Sequence, residues 1–254
     1  MIQSSIFRFV QIQLTFLVCC CHNGSNSFEF IRRNHHHPIL HHRSRSSSSS
    51  QPSSATILCM MAERSNDSNG VQKFVRLTTQ PPRPNFCTYW VTNNLMAGEY
   101  PIKADEASAR RRIEKYLDCG ITYFVDLTNI GEKPQYESIL KTVATSKGLE
   151  SWGYIRLPIQ DFGIPSKEEM INILNTIDKA ISKKHKVYVH CRGGIGRTGT
   201  TIGCYIARHG PFKYGEEALD EVNRLFQNSD RSYESSYSPE TRDQMDFVTA
   251  WEEK

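Results

Sequence analysis

The run Lys186-Val187-Tyr188-Val189-His190 empties directly into Cys191-Arg192-Gly193-Gly194-Ile195-Gly196-Arg197-Thr198-Gly199. A short apolar strand thus delivers a cysteine into a loop of three glycines, and a helix is expected directly after it, over Thr200–Arg208. Glycine permits the tight curvature that lets successive amides converge on one point as an anion nest. A helix N-terminus adds partial positive charge at the same point. Arg197 supplies a planar, bidentate donor for a tetrahedral oxyanion. A cysteine in that field is favoured as the nucleophilic thiolate. Thr198 is expected to donate a hydrogen bond to the cysteine sulfur.

The remaining pattern says what surrounds this loop. Residues 89–91 and 95–97 read as short strands. Ala104–Asp118 reads as a helix closed by Gly120, followed by a buried strand over Ile121–Leu127. Pro134–Lys147 opens with proline and ends at Gly148, as helices do, and Trp152–Leu157 is another strand. Ser166 and Glu169 form a capping box before apolar residues at helical spacing, Met170, Ile173, Leu174, Ile177 and Ile181. Gly215–Phe226 and Glu240–Trp251 complete the helices. Strands alternating with helices predict an α/β fold, a mostly parallel central sheet flanked by helices, with ligands at the carboxyl ends of the strands.

Charge separates the chain into parts. Five of its 31 Lys+Arg precede residue 63, against one of its 27 Asp+Glu, Glu29, which leaves 26 of each sign in 63–254. The net charge of +4 therefore belongs to the first segment. A domain of zero net charge has no field to gather phosphate backbones, so nucleic acid is not an expected partner. Residues 1–61, Ser-rich with His35–His37, His41, His42 and Ser46–Ser50, are expected to be a disordered tail. A transit peptide and an over-extended reading frame starting properly at Met60 or Met61 both fit it, and a secretory signal fits less well because Gln11 and Gln13 interrupt the apolar stretch. The compartment is accordingly cytoplasmic, or a plastid or other organelle if the tail is a working transit peptide. Residues 62–85 read as a polar linker and 86–254 as the catalytic domain. Leu14–Cys21 is too short to span a membrane. The eight cysteines have neither CxxC pairs nor zinc spacing, which favours a reducing compartment.

The segment His190–Gly199 resembles the H-C-x5-R-[ST] signature loop of the cysteine-dependent protein tyrosine phosphatases. The likeness extends over about 86–254, the size of the dual-specificity branch. It implies that fold and a two-step hydrolysis in which Cys191 attacks phosphorus and water then releases the phosphate. It further implies that Arg197 binds phosphate, that the backbone of Arg192, Gly193, Gly194, Ile195 and Gly196 cradles it, and that His190 tunes the thiol. Asp161, 30 residues before Cys191 in a loop punctuated by Pro158, Gly163 and Pro165, is the expected general acid, with Asp126 a fallback better suited to packing. Glu240-Thr241-Arg242-Asp243-Gln244 resembles the Q-T-x-x-Q segment of phosphotyrosine-specific members. It departs at Glu240 and keeps Gln244, the candidate for positioning water.

No metal or organic cofactor is expected, since nest and arginine already neutralise a phosphate. Lipid-directed relatives usually place lysines among the variable loop positions; the one cation here favours a singly phosphorylated group on protein, phosphotyrosine or phosphoserine/threonine in a shallow site. A monomer is expected. A phosphoinositide or other phosphoester is the alternative substrate. A phosphate-recognising pseudophosphatase is the non-catalytic alternative, although such proteins typically lose the cysteine or arginine present here. Cys204 reads as core, and Arg110–Arg112 as a solvated helix face.

Overall fold

The computed structural model describes residues 73–103, 105–212 and 214–253. The expected tail and residues 62–72 of the expected linker lie outside these. Five strands form one sheet: β1 (Thr88–Thr92), β2 (Leu95–Gly98), β3 (Ile121–Asp126), β4 (Gly153–Arg156) and β5 (Lys186–His190), in the order β1-β2-β5-β3-β4. Only β1 runs antiparallel, paired to β2 through a tight turn; the other pairings are parallel. Among the described residues six α-helices accompany the sheet: α1 (Glu106–Asp118), α2 (Glu137–Ser146), α3 (Lys167–Ser182), α4 (Gly196–His209), α5 (Gly215–Phe226) and α6 (Arg242–Thr249). A 3-10 turn at Asp230–Tyr233 is an element the periodicity did not anticipate.

Period-two alternation sends successive strand residues to opposite faces. Tyr89, Val91, Leu95, Ala97, Val125, Val187 and Val189 enter one core with α3, α4 and α5. Trp90, Met96, Phe124 and Tyr188 enter the other with α1 and α2. Both faces are covered, as a mainly parallel sheet requires. Local signals mark the helix ends. Ser166 and Glu169 make the expected capping box on α3, and Gly120 and Gly148 take positive φ of 83° and 69° after α1 and α2. Two boundary shifts bear on the loop. Helix α2 begins three residues beyond Pro134, with Tyr136 buried at its N-cap, and α4 begins at Gly196, inside the glycine loop. The first helical turn is therefore part of the loop itself.

Residues 73–85, within the stretch expected as a linker, are held on the domain. Phe74 is buried in the first core, and Gln80 brackets the backbone of Trp90, donating to its carbonyl at 3.2 Å and accepting from its amide at 2.8 Å. Arg83 donates to the carbonyls of Thr88 and Asn228. Arg112, expected on a solvated face, instead reaches Glu99 at 2.8 Å and the Pro101 carbonyl at 2.7 Å, tying α1 to the end of β2. No described helix is long and apolar enough to cross a membrane.

Candidate active site

Strand β5 lies between β2 and β3, so Cys191 leaves the sheet at its centre. The amide of Leu127 donates to the carbonyl of His190, and that of Tyr100 to the carbonyl of Arg192, so the ends of β3 and β2 hold the loop from both sides. Gly194 has φ of 74°, and a Cβ there would lie 2.3 Å from the carbonyl carbon of Gly98. Both the backbone turn and the close packing on β2 demand glycine. In the bend this creates, the Gly194 amide donates to Cys191 Sγ at 3.3 Å. Cys191 and Arg197 are only 3% and 2% exposed.

Ile195 occupies the N-cap of α4 and offers no side-chain oxygen to its first amides. A helix start without a side-chain cap leaves donors for an anion. Ser238 Oγ donates to the Ile195 carbonyl at 2.8 Å and braces this corner from the chain's far end.

Two carboxylates meet on the Arg197 guanidinium. Glu132, in the loop after β3, is held in fork geometry: Nη1 to Oε2 at 2.8 Å and Nη2 to Oε1 at 2.7 Å. Asp161 lies 2.7 Å from Nη2. Carbonyls of Leu127 and Ile159 also accept from Nη1. The bond from Arg197, opposed by partial burial, holds the Glu132 carboxyl below the usual range. Sequence reasoning missed Glu132. The available signal was an acidic residue in a loop at the carboxyl end of a parallel strand, where such folds gather their ligands.

The expected site residues come together, and two of them make contacts the sequence did not anticipate. Thr198 is fully buried in the first turn of α4, but its Oγ1 has no hydrogen-bond partner among the described residues. The expected bond to the sulfur is absent, and the Gly194 amide takes that place. His190 is a satisfied histidine at the strand end. Its Nδ1 lies 3.4 Å from the Cys191 carbonyl, its Nε2 2.6 Å from the Tyr136 hydroxyl, and its ring stacks on Tyr188. Burial lowers the His190 pKa against the opposing pull of Asp126, which favours the neutral ring.

Asp126 is unsuited to the fallback acid role. It is fully buried and accepts from the Thr128 amide and hydroxyl, the Tyr154 hydroxyl and Arg156. Burial opposes its ionisation, but the hydrogen bonds from Thr128 and Tyr154 outweigh that and hold the carboxyl low.

Gln244 is fully buried beside Gly196, yet all of its polar atoms are engaged. Oε1 accepts from the amides of Glu240 and Thr241, and Nε2 donates to the Gly163 carbonyl at 2.9 Å. It connects α6 to the loop carrying Asp161. In that loop Phe162 takes a left-handed φ of 59° and stands 61% exposed, an uncommon backbone state for an aromatic residue. Cys204 is buried in the core as expected.

Comparison with known proteins agrees with this architecture. The chain is 30% identical over 123 residues to protein tyrosine phosphatase domain-containing protein 1 of Mus musculus, covering 46% of this chain and 16% of the mouse protein. Over 42 residues it is 43% identical to dual specificity protein phosphatase CDC14B of Mus musculus, covering 16% of this chain and 7% of that one. The matches thus span less than half the length of these curated relatives. Among solved structures, Tk-PTP in the active form superposes with a TM-score of 0.51 at 22% identity, over 64% of this chain and 93% of that chain, which shows the shared fold. Residues 84–242 match the DSP-PTPase phosphatase domain of the Swiss Army Knife proteins, and over this majority of its length the chain belongs to that phosphatase family.

Proposed function

We propose that this protein hydrolyses phosphomonoesters on proteins, phosphotyrosine or phosphoserine/threonine, through a cysteinyl-phosphate. The observation that carries the reading is the pairing of Cys191, beneath the Gly194 amide, with an Arg197 already aligned by Glu132 and touched by Asp161. An incoming phosphate takes the amides at the start of α4 and the place of Asp161 on Nη2, while Glu132 keeps the fork in register. Asp161, released from the arginine, is then directed at the leaving oxygen.

In the first step the Cys191 thiolate forms the S–P bond as the P–O bond breaks, and Asp161, which takes up a proton from water on leaving the arginine, gives it to the departing oxygen. In the second, water attacks phosphorus, the S–P bond breaks, Asp161 takes the water's proton and phosphate leaves. His190 positions the carbonyl that begins the loop, and Gln244 holds the acid loop in place.

The test is phosphate release by the full chain without added metal, beside Cys191→Ser and Asp161→Asn. Turnover of p-nitrophenyl phosphate should vanish in Cys191→Ser. Asp161→Asn should lose about 10²–10⁴-fold on phosphopeptides with poor leaving groups and much less on p-nitrophenyl phosphate, whose leaving group needs little protonation. A folded wild-type chain that binds phosphate without turnover would replace the enzyme reading with that of a phosphate-recognising module. Equal losses on all leaving groups would remove Asp161 from the acid role.

A further inference from the structure

A line of hydrogen-bonded side chains runs through the second core, from the segment before β1 to the backbone on which the phosphate loop rests. Asn85 Nδ2 donates to the Tyr116 hydroxyl of α1 at 3.1 Å. Tyr116 donates to the Tyr188 hydroxyl of β5 at 3.2 Å, and Tyr188 donates to the Glu99 carbonyl at 2.6 Å. Each hydroxyl accepts one bond and gives one, so each is oriented by the group before it, and bonds in such a chain strengthen one another in a low-dielectric interior. Both phenols are fully buried, and burial pushes both above their ordinary range, so they keep the protons the line needs.

Both ends are anchored. Asn85 Oδ1 accepts from the Cys87 amide at 2.8 Å, and the Asn85 carbonyl accepts from Thr88 Oγ1 at 2.8 Å. At the far end a Cβ on Gly98 would stand 2.8 Å from the Tyr188 hydroxyl, so glycine there gives the phenol its room. The carbonyl that Tyr188 holds belongs to the same planar peptide as the Tyr100 amide, which donates to the Arg192 carbonyl of the loop at 3.2 Å. The preceding peptide is the one against which Gly194 packs, 2.3–2.6 Å from its Cβ position. The Tyr188 ring also stacks on His190, with centroids 5.3 Å apart. Tyr188 therefore touches the residue that leads into the loop and the backbone that supports its glycine bend.

We propose that Tyr188 is a positioning residue for Cys191: its hydroxyl fixes the Glu99–Tyr100 peptide, and through that support keeps the Gly194 amide on the sulfur. This rests on Cys191 being the nucleophile. With the Glu99 carbonyl released, the peptide can turn, Arg192 and Gly194 follow, and the thiolate loses a donor.

The test is the rate at which iodoacetamide alkylates Cys191 in the folded full chain, read by mass spectrometry on the peptide containing it. The thiolate is the reacting form. In Tyr188→Phe, which keeps the ring, the rate at pH 6 should fall about three- to tenfold, a part of one hydrogen bond to a charged group, and should rejoin the wild-type rate at pH 9.5. Asn85→Ala should lower the pH 6 rate by less. Adding it to Tyr188→Phe should change nothing more, because it acts through that hydroxyl. Val143→Ala, in the same core but off the line, controls for loosened packing and should alkylate as the wild type does.

A wild-type rate in Tyr188→Phe at pH 6, a deficit that persists at pH 9.5, or an equal deficit in Val143→Ala would overturn the positioning role. Additive losses from Asn85→Ala and Tyr188→Phe would overturn the line from Asn85. Wild-type turnover of p-nitrophenyl phosphate, measured in parallel, reports on the hydrolase reading separately.

Discussion

The Gln244 side-chain amide donates to the Gly163 carbonyl at 2.9 Å across 81 residues of sequence, so the C-terminal helix holds the loop that carries Asp161. The same side chain caps its own helix, because its Oε1 accepts from the amides of Glu240 and Thr241. Loop position and helix start are therefore set by one buried group.

Gln244→Ala should release both. Three hydrogen bonds are lost at a fully buried position, and urea unfolding should register a cost of about 2–3 kcal/mol. Hydrogen exchange should rise in residues 160–165 while the loop at 191–195 stays protected. Unchanged exchange at Gly163 would show that the loop is held by other contacts.

Glu132→Gln tests the fork on Arg197. The neutral amide keeps the shape but cannot offer two acceptor oxygens, so a buried guanidinium loses half of its bidentate partner. A stability loss of about 2 kcal/mol is expected, with kcat/KM for p-nitrophenyl phosphate falling about ten- to hundredfold as the arginine loses alignment. Activity at the wild-type level would mean that Asp161 and the two carbonyls suffice to position it.

Gly194→Ala should be among the most damaging single-methyl changes in the chain. The added Cβ meets the backbone of Gly98 and Glu99 at 2.3–2.6 Å, and the φ of 74° is itself unfavourable for alanine. Backbone must move, and the amide that reaches Cys191 Sγ moves with it. Thermal unfolding should show a loss above about 2 kcal/mol. Gly131→Ala makes a useful comparison, since its φ is similarly positive, 83°, but nothing lies within 4 Å of its Cβ position. It should cost only the backbone strain, about 1 kcal/mol.

Stability should fall with pH in two stages. An unfolded histidine titrates near about 6.5, and burial holds the folded His190 below its ordinary value. Between those two values the unfolded chain carries a proton that the folded chain does not, so stability is full above about pH 6.5 and declines below it. Asp126 and Glu132 are also depressed in the folded state, so their contribution is present above their unfolded values of about 4 and is lost as pH falls further. Melting temperatures from pH 8 to pH 3 should show both declines, and His190→Asn should flatten the first. A first stage of unchanged slope in that variant would assign it to another group.

Much of this molecule was legible in its sequence because the relevant physics is local. Alternation in Lys186–His190, the Ser166–Glu169 box and the glycines after α1 and α2 each specify backbone over a few residues. The glycine loop likewise announced a tight bend between strand and helix, and with it Cys191 and Arg197. What the sequence could not supply was contact across long separations. Glu132 lies 65 residues from the arginine it aligns, Gln244 lies 81 from the loop it braces, and Arg231 meets Gly193 from a turn with no periodic signal. Nor could it say that the Thr198 hydroxyl leaves Cys191 to the Gly194 amide, or that His190 binds Tyr136. Short-range patterns fix φ, ψ and burial along each element. Which charged side chains share a site depends on the parallel sheet bringing loops together at the ends of its strands, and that is decided only when the whole chain packs.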